Sequence, residues 1–130
     1  DGIRMVLFIC YDLRFPEIFQ AASEDCEMLA VIANWPRERI HHWHCLLPAR
    51  AIENQSVVLG VNRKGWGGGI EYVDSSEAYD CAGNRIPCQR ITTKAGDDCI
   101  LCEVDVRRPR QLRREFTVKQ DRRKKWYKSL

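Results

Sequence analysis

No apolar run in these 130 residues approaches the roughly 20 that a membrane-crossing helix needs. The opening residues, Asp1-Gly2-Ile3-Arg4, lack the basic and long apolar segments of a signal peptide, so none is expected. The glycine-rich stretch Lys64-Gly65-Trp66-Gly67-Gly68-Gly69 lacks a Gly-Lys-Ser/Thr ending and reads as a flexible loop, not a phosphate cradle. Internal repeats and low-complexity blocks are missing. So is a second cysteine knuckle: Cys99 and Cys102 lie in an apolar run, and Cys81 and Cys88 are seven apart. His41-His42-Trp43-His44-Cys45 is dense in ligand types, and His41 and Cys45 could share an ion on a helix, but no metal is expected. The chain does not begin with Met and its first strand starts almost at once, as expected of the later part of a longer polypeptide.

Hydrophobic residues make up 45% and charged residues 30%, with four Trp, four Tyr and four Phe, which suits a folded core and not disorder. Seven cysteines cannot all pair within one chain. Several fall in strand-like apolar runs, where a reduced thiol behaves as a small hydrophobe, so a reducing, cytoplasmic setting is expected. Charge is uneven. Residues 107–130 hold eleven Lys or Arg against two acids, Glu115 and Asp121, whereas residues 1–106 hold ten bases and sixteen acids. The basic end lacks regular aromatic interleaving. It is read as a solvated helix and tail pairing with the acidic body, and nucleic acid and membrane are not expected partners.

Apolar runs place strands at Met5–Ile9, Met28–Ala33 and Ser56–Asn62, the first covered on both faces. Helices are expected over Pro16–Ser23, Ile40–Gln55 and Arg107–Arg114. In the second, Ile40, Trp43, Leu47 and Ala51 share a face, while Pro48 either kinks it or opens a new segment. Shorter strands follow at Ile70–Val73, Ser76–Tyr79, Ile86–Ile91 and Cys99–Val106, with a turn at Cys81-Ala82-Gly83-Asn84. Alternation followed by a run of strands predicts an α/β (α+β layered) domain. Helices on one face of a sheet leave the other uncovered, which fits half of a two-sheet sandwich.

The junction Ile9-Cys10-Tyr11-Asp12-Leu13-Arg14-Phe15-Pro16-Glu17 carries the chemistry. A thiol at a strand end, beside a helix opened by Pro16, is exposed and near a pole that favours its anion. The Tyr11 backbone N–H could meet a developing oxyanion. If the strands are parallel, Asn34 and Trp35 follow a strand at the same sheet end, and they read equally as substrate contacts or as a packed turn. Arg14 reads as pairing with Asp12 or a helix acid in preference to a substrate carboxylate. Arg50, Glu53 and Asn54 can share a helix face.

This junction resembles the nucleophile segment of the nitrilase superfamily, the carbon–nitrogen hydrolases. Further matches are Ala33-Asn34-Trp35-Pro36, Trp43, Leu47-Pro48-Ala49-Arg50-Ala51-Ile52-Glu53-Asn54-Gln55 and Gly60-Val61-Asn62-Arg63. Looser ones run through Tyr72, Ser76, Asp80, Gly83 and Asp105 to Phe116. The wording looks most like the omega-amidase branch. The resemblance implies an αββα sandwich whose N-terminal half is absent here. Residues 1–130 would be one partial domain, with 116–130 as a basic tail. It implies Cys10 as nucleophile, a thioester intermediate, small linear omega-amides as substrates, no cofactor, and a homo-oligomer in the full-length protein. It gives Arg50, Glu53 and Asn54 a structural or subunit-contact role. The family's Glu base and Lys cation lie upstream of the cysteine and map to nothing here; Glu17 and Lys64 stand at other motif positions. The chain alone is therefore expected to be inactive, with a non-catalytic remnant or interaction module as the alternative. Asp74 and Cys81 depart from the family's usual residues.

Overall fold

The computed structural model describes residues 2–127 and 129, so Lys128 and Leu130 of the expected tail lie outside the described residues. Three parallel strands, β1 (Met5–Ile9), β2 (Met28–Ala33) and β3 (Val57–Asn62), form the start of a sheet. Helix α1 (Pro16–Ala22) connects the first two, and α2 (Ile40–Asn54) the second and third. Right-handed crossovers in one sense of strand addition put both helices on the same face.

The 64–69 stretch is not an open loop. It folds into β4 (Gly65–Gly67), which pairs antiparallel with β5 (Ile70–Tyr72). The strands β6 (Glu77–Tyr79) and β7 (Arg85–Ile86) extend the main sheet to the order β1-β2-β3-β6-β7. Pro87 divides the expected Ile86–Ile91 strand, because proline cannot donate to a ladder. Beyond it β8 (Cys88–Thr92) and β9 (Asp98–Cys102) form a separate hairpin. Two helices close the chain, α3 (Arg108–Glu115) and α4 (Lys124–Tyr127).

Strand alternation decides the core. Phe8, Leu29, Val31 and Val58 point under the helices, where they meet Phe19, Trp43, Leu47 and Ala51. Phe8 stacks on Phe19 with ring centroids 3.8 Å apart. Pro48 lies inside α2 without dividing it. Gly60, in register with Val31, lies directly beneath α2. A Cβ there would be 2.8 Å from Trp43 Cζ2 and closer still to Leu47 Cδ1, so only glycine lets the helix rest on β3.

The opposite face is apolar and uncovered. Leu7 is 67% exposed, and Met5, Ile9, Ile32 and Val61 are exposed around it. The two-sided covering expected for β1 is thus one-sided, because nothing among the described residues lies over that face.

The α2 helix also holds the segment after β1. Residues Cys10–Arg14 form a 3₁₀ turn, and the Leu13 carbonyl accepts hydrogen bonds from Arg50 Nη2 at 2.7 Å and Nε at 3.1 Å. The Arg50 guanidinium is buried, bonds Glu53 at 3.1 Å and faces the Phe19 ring at 5.3 Å. Asn54 donates to the Arg50 carbonyl and accepts from the Ser23 hydroxyl, tying α1 to α2.

Most of the basic end is exposed, but three of its cations dock on the body. Lys119 is buried and donates to the Ser23 and Glu24 carbonyls. Arg122 reaches the Glu53 carbonyl and Asn54, and Arg113 the Cys26 carbonyl and Ser56. Three cations thus cap the carboxyl-terminal region of α1 and α2, where the helix poles attract them. Lys124 pairs with Glu24 at 2.7 Å, as a basic tail meeting an acidic body should.

Two outcomes test this packing. Gly60→Ala should destabilise the fold by about 1–3 kcal/mol through overpacking, seen as a lower denaturant midpoint at unchanged slope; an unaltered midpoint contradicts the close approach. Burial, then repulsion from Arg113 and Arg122, pushes the Lys119 ammonium down to about 8. Between there and roughly 10.5 the unfolded chain holds a proton that the folded chain has released, so this group adds stability as pH rises. The stability of the wild type relative to Lys119→Met should rise across that window, and a flat difference contradicts the buried amine.

Candidate active site

Cys10 follows the last residue of β1 with φ at +45°, in the left-handed region. A non-glycine residue held there stores on the order of 1–3 kcal/mol. The reversal swings the chain from the strand into the 3₁₀ turn. The Asp12 carboxylate accepts the Ile9 N–H at 2.9 Å, and the Asp12 carbonyl accepts the Phe15 N–H at 3.0 Å. The turn is therefore held at its start by Asp12 and at its end by Arg50.

Cys10 is half-buried, and its Sγ lies 4.0 Å from the Asn34 carbonyl oxygen, a long thiol contact. A cleft of about 410 Å³ opens beside it at the carboxyl ends of the three parallel strands. Ile9 and Cys10, residues 32–34, and residues 61–63 form its walls. Carboxyl ends of parallel strands are where α/β sheets leave room for ligands. The helix start expected beside the thiol is displaced. The 3₁₀ turn intervenes, and α1 begins only at Pro16. Tyr11 belongs to the first turn, whose N–H groups have no acceptor within the turn.

Asn34 is exposed on the cleft wall, but Trp35 is not part of it. The Trp35 indole is buried 5.5 Å from the Trp43 ring, and its Nε1–H donates to the Arg39 carbonyl at 2.8 Å. Of the two readings of this tryptophan, the structure displays the packed turn, because Asn62 clamps its backbone on both sides. Asn62 Oδ1 accepts the Trp35 N–H at 2.7 Å, and Nδ2 donates to the Trp35 carbonyl at 3.1 Å and to Ser75 Oγ at 3.0 Å. Arg14 pairs with neither Asp12 nor a helix acid. It lies over the Trp35 ring at 4.7 Å and contacts His42 Nδ1 at 3.2 Å. Asp12 is already engaged with Ile9.

Among the described residues, those lining the cleft include no carboxylate and no lysine. Glu17 is exposed on α1, and Lys64 pairs with Asp98, which holds its ammonium above the ordinary range. The histidine-rich segment is dispersed: His41 packs on His42, while His44 Nδ1 bonds the buried Glu77 at 2.9 Å. Sequence reasoning assigned no role to Asn62 or Arg63. Their only signal was the Gly60-Val61-Asn62-Arg63 match itself, which ends β3 at the mouth of the cleft.

The chain is 34% identical over 130 residues to 2-oxoglutaramate amidase of Bacillus subtilis (strain 168), covering 98% of this chain and 48% of that protein. It is 43% identical over 86 residues to omega-amidase YafV of Escherichia coli (strain K12), covering 65% of this chain and 33% of that protein. Among solved structures it is similar to XC1258 of Xanthomonas campestris, a CN-hydrolase superfamily protein with an arsenic adduct in its active site. That likeness has a TM-score of 0.79 at 29% identity and covers 94% of this chain and 48% of that one. The chain spans about half, or less, of the length of these relatives. The sequence profile of the carbon–nitrogen hydrolases matches residues 1–114, and the chain belongs to that family.

Proposed function

We propose that this chain carries the nucleophile portion of a cysteine-dependent amidase acting on small linear omega-amides, compounds with an amide at one end and a carboxylate at the other. The observation that carries this reading is Cys10, held at positive φ on the wall of an open cleft. The names of the similar proteins, an omega-amidase and a 2-oxoglutaramate amidase, support the substrate class.

In this reading the Cys10 sulfur attacks the amide carbon, forming a C–S bond while the carbonyl electrons move to oxygen. The Tyr11 N–H donates to that oxyanion, and Asn34 offers an amide at the cleft rim. Collapse breaks the C–N bond, and the nitrogen leaves as ammonia after taking a proton. Water then cleaves the thioester, releasing the carboxylic acid and restoring the thiol. No cofactor enters these steps.

The proton relay and the oxyanion cation are assigned to a Glu and a Lys upstream of Cys10 in the complete polypeptide, where the family resemblance puts them. Each such group is worth roughly 100-fold or more in rate, so residues 1–130 alone should turn over little. The uncovered apolar face fits the second sheet of a sandwich, and a homo-oligomer of the complete protein is part of the proposal. The unpaired cysteines fit a reducing, cytoplasmic setting. The absence of Glu and Lys from the described cleft wall favours a second reading, a non-catalytic interaction module.

One experiment separates the two. In protein expressed from its complete coding sequence, Cys10→Ala should lower omega-amide hydrolysis by more than about 1,000-fold. Activity surviving that substitution contradicts the nucleophile assignment, and a wild type without turnover favours the module.

A further inference from the structure

The cleft beside Cys10 adjoins a second cavity of about 570 Å³ bounded by β3, β8 and the β8–β9 turn, and the two share Val61, Asn62 and Arg63 as a common wall. Three cations line this combined space: Arg63, Lys64 and Arg90. Two are already neutralised. Lys64 pairs with Asp98, and Arg90 pairs with both oxygens of Asp74 at 2.6 Å. Arg63 differs. Among the described residues it has no carboxylate within ion-pairing distance, and it is the charged side chain on the wall of the Cys10 cleft.

Arg63 is nevertheless held in place. Its guanidinium carbon stands 4.7 Å from the Tyr72 ring centroid, and Nη2 reaches the Trp66 carbonyl at 3.4 Å. The hairpin lies close over it: a Cβ at Gly67 would stand 3.0 Å from Nη1. Stacking on an aromatic face orients a guanidinium while leaving its N–H edge free for an acceptor. The remaining cleft walls are apolar side chains, from Ile9, Ile32, Ala33 and Val61, or neutral amides, from Asn34 and Asn62. An oriented, unpaired guanidinium in such surroundings matches a carboxylate, which it can bind through two parallel hydrogen bonds.

We propose that Arg63 is the specificity-determining residue of this site and binds the distal carboxylate of the amide substrate. The inference rests on the reading of Cys10 as the nucleophile. It adds what that reading leaves open, namely how the site prefers an acidic amide to a neutral one of equal length. The nearby cation Arg14 contacts His42 through Nη1 and is not on the cleft wall.

The test uses protein expressed from its complete coding sequence and two amides of equal chain length, glutaramate and pentanamide. The wild type should prefer glutaramate. Arg63→Gln should lower the ratio of kcat/KM for glutaramate over pentanamide by about 100-fold, mainly through KM. Arg63→Lys should recover part of the ratio, since it restores charge without the fork. A ratio unchanged in Arg63→Gln overturns the assignment, as does its collapse in Arg14→Gln with Arg63→Gln unaffected. A wild type that cleaves pentanamide as well as glutaramate also overturns it, while leaving the amidase reading standing. A wild type that cleaves neither removes both.

Discussion

A buried guanidinium gripping one backbone carbonyl organises this chain. Arg50 forks two N–H groups onto the Leu13 oxygen, and that oxygen ends the 3₁₀ turn in which Cys10 is the first residue. A turn of five residues has little stability of its own, and Cys10 adds backbone strain. The contact with α2 offsets both. It is possible because Glu53 shares the Arg50 charge and Asn54 holds the helix backbone beneath it. A buried cation with that many partners is costly to disturb, since removing any one leaves charge or carbonyl unsatisfied. The chemistry proposed for Cys10 thus depends on a residue one helix away.

The same helix sets the rest of the scaffold. Its apolar face reaches β3 only because Gly60 has no side chain, and its carboxyl end receives Arg113 and Arg122. The sheet it covers is finished on one side. Beneath the helices the strands bury Phe8, Leu29, Val31 and Val58; on the other side Met5, Leu7, Ile9, Ile32 and Val61 meet solvent. Ile9, Ile32 and Val61 also line the Cys10 cleft. These three side chains thus belong both to the uncovered face and to the cleft wall.

Much of this was legible in the residues. The apolar runs and the Trp43, Leu47, Ala51 spacing predicted the first three strands and the long helix, because burial imposes a period on the order of the residues. Cys10 was marked by its place between strand and proline. What escaped depends on contacts distant in sequence. Trp35 is a core residue because Asn62, 27 positions later, clamps its backbone. The docking of Lys119 on the Ser23 carbonyl spans 96 positions, and local charge could only suggest a solvated tail. Strand β4 hid in a glycine run, where propensity argues for a loop and only cross-strand pairing with β5 supplies the strand. Arg63 acquires its significance by elimination, once the partners of Lys64 and Arg90 are known.

The most direct test of this account is amide hydrogen exchange across residues 10–14 in the wild type and in Arg50→Lys, which keeps the charge but loses the fork. The account predicts selectively faster exchange in that turn, with β2 and β3 protected as before. Exchange in the turn equal to that of the wild type, in a variant that remains folded, contradicts the claim that Arg50 holds the Cys10 turn in place.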